Sequence, residues 1–345
     1  MLKRLSFDLR AEFICGIYIF AEKSDKKMSL KKKEANVAVA PLAKKKNPFI
    51  KDLTTNYNLY LMILPCLILF VLFYYMPMYG VIISFKDYDM LDGIMGSPWV
   101  GFDHFTKFFQ SHYFWRLVRN TLSLGFLNMI WNFFPPIILA ILMNEAKNIP
   151  FKKTVQTVTY LPYFVPIVVV VGMMQELLGA TGVINNLAVS LGFNRTLFLD
   201  NPALFKPLYI ATDIWQRTGW GTIVYMAALA GVDQQLYEAA YLDGANRFQR
   251  IWHISIPGIL PTITIMLILN AAQVVNVGYE KVYLMQTPTL YEASDVINTF
   301  VYREALSKKK FDYGTAIGLL NSVAATLIMV VTNKTVDKLN GTALW

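Results

Sequence analysis

Six long runs of mostly apolar residues alternate with polar intervals along this chain, near residues 60–84, 121–143, 155–178, 207–230, 261–285 and 313–336. Each is long enough to cross about 30 Å of hydrocarbon as a helix. The pattern predicts an all-α membrane protein with six transmembrane helices. Pro65, Pro77, Pro135, Pro136, Pro162 and Pro166 fall inside the runs. An isolated helix tolerates them poorly, but in a bundle the neighbouring helices satisfy the freed carbonyls. A shorter apolar patch, from Phe13 to Phe20, is about half the length needed to cross a bilayer and has no small-residue cleavage pattern after it. Met28 opens another basic run and is an alternative start, so residues 1–27 are expected either to extend the tail or to have no structural role.

Polar side chains inside a span are costly and mark a pathway or an internal pair. Most of them lie in the fourth and fifth runs. At about 100° per residue, Asn270, Gln273, Asn276, Val277 and Glu280 share an arc of roughly 120° on the fifth. Such a stripe suits either a wet cavity or hydrogen bonding between helices. On the fourth run Asp213, Gln216, Arg217 and Trp220 share a face, and Tyr225 follows further along. Asp213 and Arg217 are four residues apart, the spacing of an ion pair on a helix. Either the pair neutralises itself, or Asp213 takes another partner and leaves Arg217 free to hold a carboxylate.

The interval between these two runs is polar and reads as a helical hairpin over residues 233–257. Asp233 to Leu242 is rich in helix formers, and Gly244 can take the left-handed conformation that ends a helix. Beyond it Phe248, Ile251 and Trp252 stand at i, i+3 and i+4 with Arg247 and Arg250 on other faces. Pro257 is expected to stop this second helix before the fifth span.

Composition agrees with a multi-span protein: of 345 residues, 55% are hydrophobic and only 16% charged. The net charge of +9 is not a nucleic-acid signature, because 13 of the 32 Lys and Arg precede residue 60. They form a basic tail, residues 1–57, of the kind found on a cytoplasmic membrane surface. With that tail inside, the intervals on its side of the membrane carry about twice the Lys and Arg of the other side, although Lys308, Lys309 and Lys310 run against the trend. Both termini are then cytoplasmic. Cys15 and Cys66, one in the tail and one in a span, make no disulfide framework.

Glu238-Ala239-Ala240, three residues, Gly244, nine residues, Ile254, one residue, Ile256 and Pro257 together resemble the EAA loop of ABC-importer permeases. Only Ile256 departs, standing where Leu is usual. Asp243-Gly244-Ala245, Thr218-Gly219-Trp220 and Tyr160-Leu161-Pro162 extend the resemblance to the carbohydrate branch, the MalF-like and LplB-like sugar permeases. It covers residues 55–345, with residues 58–345 as one permease domain. The large extracytoplasmic insertion and extra spans of some MalF-type chains are missing, so the compact LplB-like type is the better match. The resemblance implies the type I importer permease (MetI-like) fold, with the first hairpin helix as a coupling helix in a cleft of an ATPase. Glu238 would pair with a basic residue there, Ala239 and Ala240 would permit close approach, Gly244 would set the hairpin angle, and Asp243, Ile254 and Pro257 would complete the loop.

It further implies a multi-pass protein of a bacterial cell membrane that forms half of a translocation pathway. Two ATPase copies holding ATP and Mg, a second homologous permease and an extracytoplasmic solute-binding protein would be its partners, with membrane lipid around it. Binding-protein docking would use segments 86–120 and 282–312. The cargo implied is a sugar or oligosaccharide, and an acidic one such as a uronate if Arg217 is free. Trp215, Trp220 and Tyr225 offer flat faces to sugar rings, although aromatics in spans more commonly face lipid or pack the core. This chain itself carries no cofactor: Gly-Lys occurs nowhere in it, so it has no P-loop and ATP is hydrolysed elsewhere. A peptide or amino-acid permease is the rival cargo class. An intramembrane enzyme is a weaker rival, since His104, His112 and His253 form no metal-binding or triad pattern.

Overall fold

The structure, a computed structural model, describes residues 55–341. The apolar patch at Phe13, Cys15, Met28 and all but the last three residues of the basic tail lie outside the described residues. The chain divides at Tyr74 into two compact units. The first holds α1, Tyr57–Phe70, followed by a wide turn of π geometry from Val71. Helical geometry continues from the turn through Tyr79–Phe85, which gives the first of the membrane-length stretches.

The second unit is helical throughout, and one isolated bridge between Lys86 and Trp99 is its only strand-like pairing among the described residues. Its elements are α2, Asp103–Gln110; α3, Phe114–Glu145; α4, Ile149–Tyr160; α5, Ile167–Leu178; α6, Val183–Ser190; and α7, Pro202–Ala230. They are followed by α8, Gln234–Leu242; α9, Arg247–Arg250; α10, Ile256–Ala272; α11, Tyr279–Met285; α12, Ile297–Tyr302; and α13, Phe311–Asn340.

Cross-helix bonds fix the helix directions. Lys206 meets Ser123, Asp213 meets Asn128 and Thr222 meets Pro136, with both numbers rising together, so α3 and α7 run parallel. Gln156 meets Met226 while Val165 meets Gln216, so the α4 to α5 segment runs the opposite way. Buried Ile259 of α10 packs with Ile137 and Leu229, while Val277 beyond its end packs with Leu124 and Tyr209, so α10 is antiparallel to both. These directions put the α8–α9 hairpin and the interval 144–149 at one end of the unit, and segments 180–201 and 286–310 at the other.

Three of the six runs differ in form from the sequence expectation. The third is two helices joined by a tight turn at Leu161–Phe164, because Pro162 and Pro166 deny two donors within five residues. Gln216 of α7 donates to the stranded Val165 carbonyl at 2.8 Å. The fifth run ends early, at Ala272, and resumes only at Tyr279. The expected arc from Asn270 to Glu280 is therefore not a stripe on one helix. The fourth, α7, is one helix but is too polar to be among the five stretches long and apolar enough to cross a membrane, with Asp213, Gln216 and Arg217 along it. Nor does Pro257 stop a helix. Arg247–Ala272 is helical throughout, because the π turn Ile251–Ser255 absorbs the misfit one turn before the proline.

Close packing around the middle of the unit depends on two glycines. A Cβ on Gly219 would lie 2.0 Å from the Thr159 oxygen, and one on Gly125 would lie 1.8 Å from the Val274 oxygen. Both helices press against backbone there, the small-residue packing that joins helices where lipid gives no hydrophobic driving force.

Candidate functional site

The seam between α3 and α7 carries a buried charge cluster. Asp213 is 2% exposed, and three groups surround its carboxylate. Asn128 Nδ2 donates to Oδ2 at 3.0 Å, while Lys281 Nζ at 3.2 Å and Arg217 Nε at 3.3 Å both approach Oδ1. Lys281 is as buried as the aspartate. Its ammonium also donates to the Tyr209 carbonyl at 2.9 Å and lies 4.4 Å from the centre of the Tyr209 ring. A buried charge needs a partner and further hydrogen bonds, and both members of this pair have them. Arg217 is different: its side chain is 65% exposed, and among the described residues one Nε contact to Asp213 leaves the rest of its fork unengaged.

The interruption after Ala272 brings Lys281 to Asp213. Gly125 lets the Val274 backbone come against α3, and the carbonyls freed from helix are taken up by amides from the far side of the unit. Asn298 Nδ2 donates to the Val277 oxygen at 3.0 Å, and Asn321 Nδ2 reaches the Val275 oxygen at 3.3 Å and Asn276 Oδ1 at 3.0 Å. Irregular backbone at membrane depth persists where such partners exist and where it borders a cavity.

Two adjoining cavities open here. The first, about 220 Å³, is lined by Asp213, Arg217 and five side-chain amides, those of Asn128, Asn132, Asn270, Gln273 and Asn276. The second, about 470 Å³, shares Tyr209, Asp213, Arg217 and Gly278 with it and adds Tyr163, Gln216, Glu280 and Lys281. Amides carry both donors and acceptors, so they match hydroxyl groups without a preference for charge. On the wall of the second cavity the Tyr163 ring lies on Trp220, 4.5 Å between centres and 5° from parallel.

Of the residues expected along a pathway, Asp213, Arg217, Asn270, Gln273 and Asn276 line the first cavity, and Gln216 and Glu280 line the second. Gln216 has its amide donor committed to Val165. Trp220 backs Tyr163 and borders neither cavity. Tyr225 is 2% exposed and packs with Ile137, Ala140, Leu229 and Ile259, because its position on α7 turns it into the core; it lines neither of these two cavities. Asn128, Asn132, Lys281 and Tyr163 were not among the expected residues. A lysine within the fifth apolar run and two asparagines four apart in the second were the signals available for them.

At the other functional segment, Asp233 caps α8 by accepting from the Gln235 N–H at 2.9 Å, and Gly244 turns the chain at φ +80°. Asn246 and Gln249 form a reciprocal capping box for α9, and Tyr237 bonds Ser255 at 2.9 Å across the hairpin. The hairpin is thus held by its own bonds, with Glu238, Ala239 and Asp243 outward and Ala240 and Ile254 half-buried. Leu242, Phe248 and Trp252 are 85%, 84% and 70% exposed.

Comparison with known proteins bears on both segments. Residues 136–340 match the model of the family described as binding-protein-dependent transport system inner membrane component. The chain is 42% identical to Protein LplB of Bacillus subtilis (strain 168) over 288 residues, 83% of this chain and 91% of that one. It is 43% identical over 296 residues to the polygalacturonan/rhamnogalacturonan transport system permease protein YteP of the same organism, covering 86% of this chain and 92% of the relative. Among solved structures, a chain of a bacterial ABC transporter involved in the import of the acidic polysaccharide alginate superposes with a TM-score of 0.78 at 39% identity, covering 85% of this chain and 100% of that one. The same transporter in complex with alginate pentasaccharide-bound periplasmic protein superposes equally well. The all-helical fold, the span-interrupting cavity and these matches agree: the chain belongs to the family of inner membrane components of binding-protein-dependent transport systems.

Proposed function

We propose that the chain is half of the translocation pathway of an ATP-driven importer for acidic oligosaccharides, and that Arg217 holds a carboxylate of the cargo as it passes. The observation that carries this reading is how three charges are shared. Lys281 is buried with Asp213 and answers its charge, so Arg217 stays 65% exposed at the junction of two polar cavities. A guanidinium offers a planar fork of donors that fits a carboxylate, the surrounding amides suit sugar hydroxyls, and the Tyr163 face suits the C–H face of a ring. The substrates named for two of the similar proteins, polygalacturonan with rhamnogalacturonan and alginate, support the same chemical class.

The hairpin 233–257 is read as the dock for an ATPase in the cytoplasm. Its exposed Leu242, Phe248 and Trp252 support this, since a patch of large apolar side chains on a polar loop marks a contact surface. Two ATPase copies would hold ATP and Mg, a second homologous permease would complete the pathway, and the binding protein would deliver cargo to the end bearing segments 86–120 and 282–312. Both termini are then cytoplasmic.

Uptake of a galacturonate oligosaccharide by cells carrying the complete transport system tests the cargo. Arg217→Gln is expected to lower it about tenfold, the loss of one charge-assisted contact. Undiminished uptake in that variant would overturn the role of Arg217.

A further inference from the structure

Lys206 has no place in the site described so far. It stands on α7, half-buried, with its ammonium 2.5 Å from the Ser123 hydroxyl of α3 and no carboxylate partner among the described residues. Arg119, one turn before Ser123 on α3, adds a like charge that bears on it. Among the described residues Arg119 itself is matched only by Glu292 at 3.5 Å, both side chains being about 70% exposed, and Glu292 is shared with Arg116 at 3.7 Å. A half-buried cation beside a second cation, with a hydroxyl but no carboxylate on it, would gain from a visiting anion, because repulsion and desolvation act in the same direction.

The register of α7 connects this cation to the cavity. Lys206, Asp213 and Arg217 are at i, i+7 and i+11 on one uninterrupted helix, which puts them within an arc of about 40° at 100° per residue. Lys206 precedes Arg217 by about 16 Å along the axis, on the side of the unit away from the hairpin. Ser123 and Asn128 follow the same seam on α3. The separation exceeds one sugar ring, so a monosaccharide cannot touch both cations and an extended oligosaccharide can.

We infer that Lys206, with Arg119 beside it, is a second anion-binding station that takes a trailing carboxylate of an oligouronate whose leading unit is at Arg217. This rests on the acidic-cargo reading above and adds to it that the cargo carries a second carboxylate far enough along the chain to reach Lys206. The station is a specificity device: it holds chains long enough to span the two cations and gives nothing to shorter ones.

The test is uptake of a uronate disaccharide and a uronate pentasaccharide by cells carrying the complete system. Lys206→Gln is expected to lower the ratio of pentasaccharide to disaccharide uptake about three- to tenfold, and Lys206→Arg to restore most of it. Arg195→Gln, which removes an exposed charge bonded only locally to Ala180 and Asn186 at the same end of the unit, is expected to leave the ratio unchanged. Ser123→Ala separates the structural alternative: if the lysine merely braces α3 against α7, this variant and Lys206→Gln lower both uptakes alike, and the inference fails. If Arg217→Gln lowers both uptakes while Lys206→Gln leaves the ratio as it was, the cargo reading stands and the outer station falls. Wild-type cells that take up neither oligomer would overturn both.

Discussion

Asp213 and Lys281 form a buried ion pair whose members depend on each other, whereas Arg217 touches the same carboxylate from the solvent side. The two cations should therefore behave differently on removal. Lys281→Met leaves a buried aspartate with one amide and an exposed arginine, and is expected to cost about 3–5 kcal/mol, seen as a lower melting temperature of the detergent-solubilised protein. Arg217→Gln should change the melting temperature little, since an exposed contact contributes about 0–1 kcal/mol. Adding Asp213→Asn to Lys281→Met should recover much of the lost stability, because the pair is then neutral on both sides. Asp213 and Arg217 were legible in the sequence from their spacing alone. Lys281 was not, since its partner is 68 residues away and their meeting depends on a helix interruption that Asn298 and Asn321 hold open from a third part of the chain.

At the scale of the helices, contacts with backbone decide where α3 and α7 can lie. Gly219→Ala places a methyl 2.0 Å from the Thr159 oxygen and forces α7 away from α4, so it is expected to lower stability by about 1–3 kcal/mol and to loosen the Tyr163 and Trp220 stack. Gly318→Ala on α13 meets nothing within 4 Å and is expected to be neutral or slightly stabilising, by up to about 1 kcal/mol from helix propensity. Thermal unfolding followed by tryptophan fluorescence distinguishes the two. The turn of the hairpin was readable beforehand, because Gly244 acts locally, whereas the caps Asp233 and Asn246 and the continuation through Pro257 were not. The fifth span has a different shape from the single helical stripe that the sequence predicts. Asn270, Gln273 and Asn276 do line one cavity, but Asn276 reaches it from irregular chain held by distant amides, which periodicity cannot register.

Across the whole molecule, the regular helices and the irregular ones have separate places. α3 and α13 are uninterrupted over 32 and 30 residues, whereas the third and fifth runs break at the cavities. Hydropathy found the runs and their alternation because lipid sets their length; it could not find the breaks, which depend on partners across the unit. The alternation makes a topological prediction. In a background with Cys15 and Cys66 replaced, Leu91→Cys and Leu242→Cys test it at positions that are 94% and 85% exposed and that the proposed topology puts on opposite sides of the membrane. A membrane-impermeant thiol reagent is expected to label the first in intact cells and the second only after permeabilisation. The reverse pattern would invert the orientation proposed from the basic tail.

The unbroken path from Arg247 to Ala272 has a mechanical consequence. Twenty-six helical residues make an arm about 39 Å long, and a tilt of about 10° of the whole arm as a rigid body would swing its far end by about 7 Å, less whatever the π turn near the hairpin end absorbs. That far end is Gln273, at the lip of the first cavity. The π turn at Ile251–Ser255 is the compliant joint of the arm, the place where a helix bends at least cost. If the hairpin is driven as proposed, a modest stroke would reach the lip of the polar cavity without unfolding a single turn, and a residue that stiffens the joint would pass on more of that stroke while leaving the cargo contacts as they are.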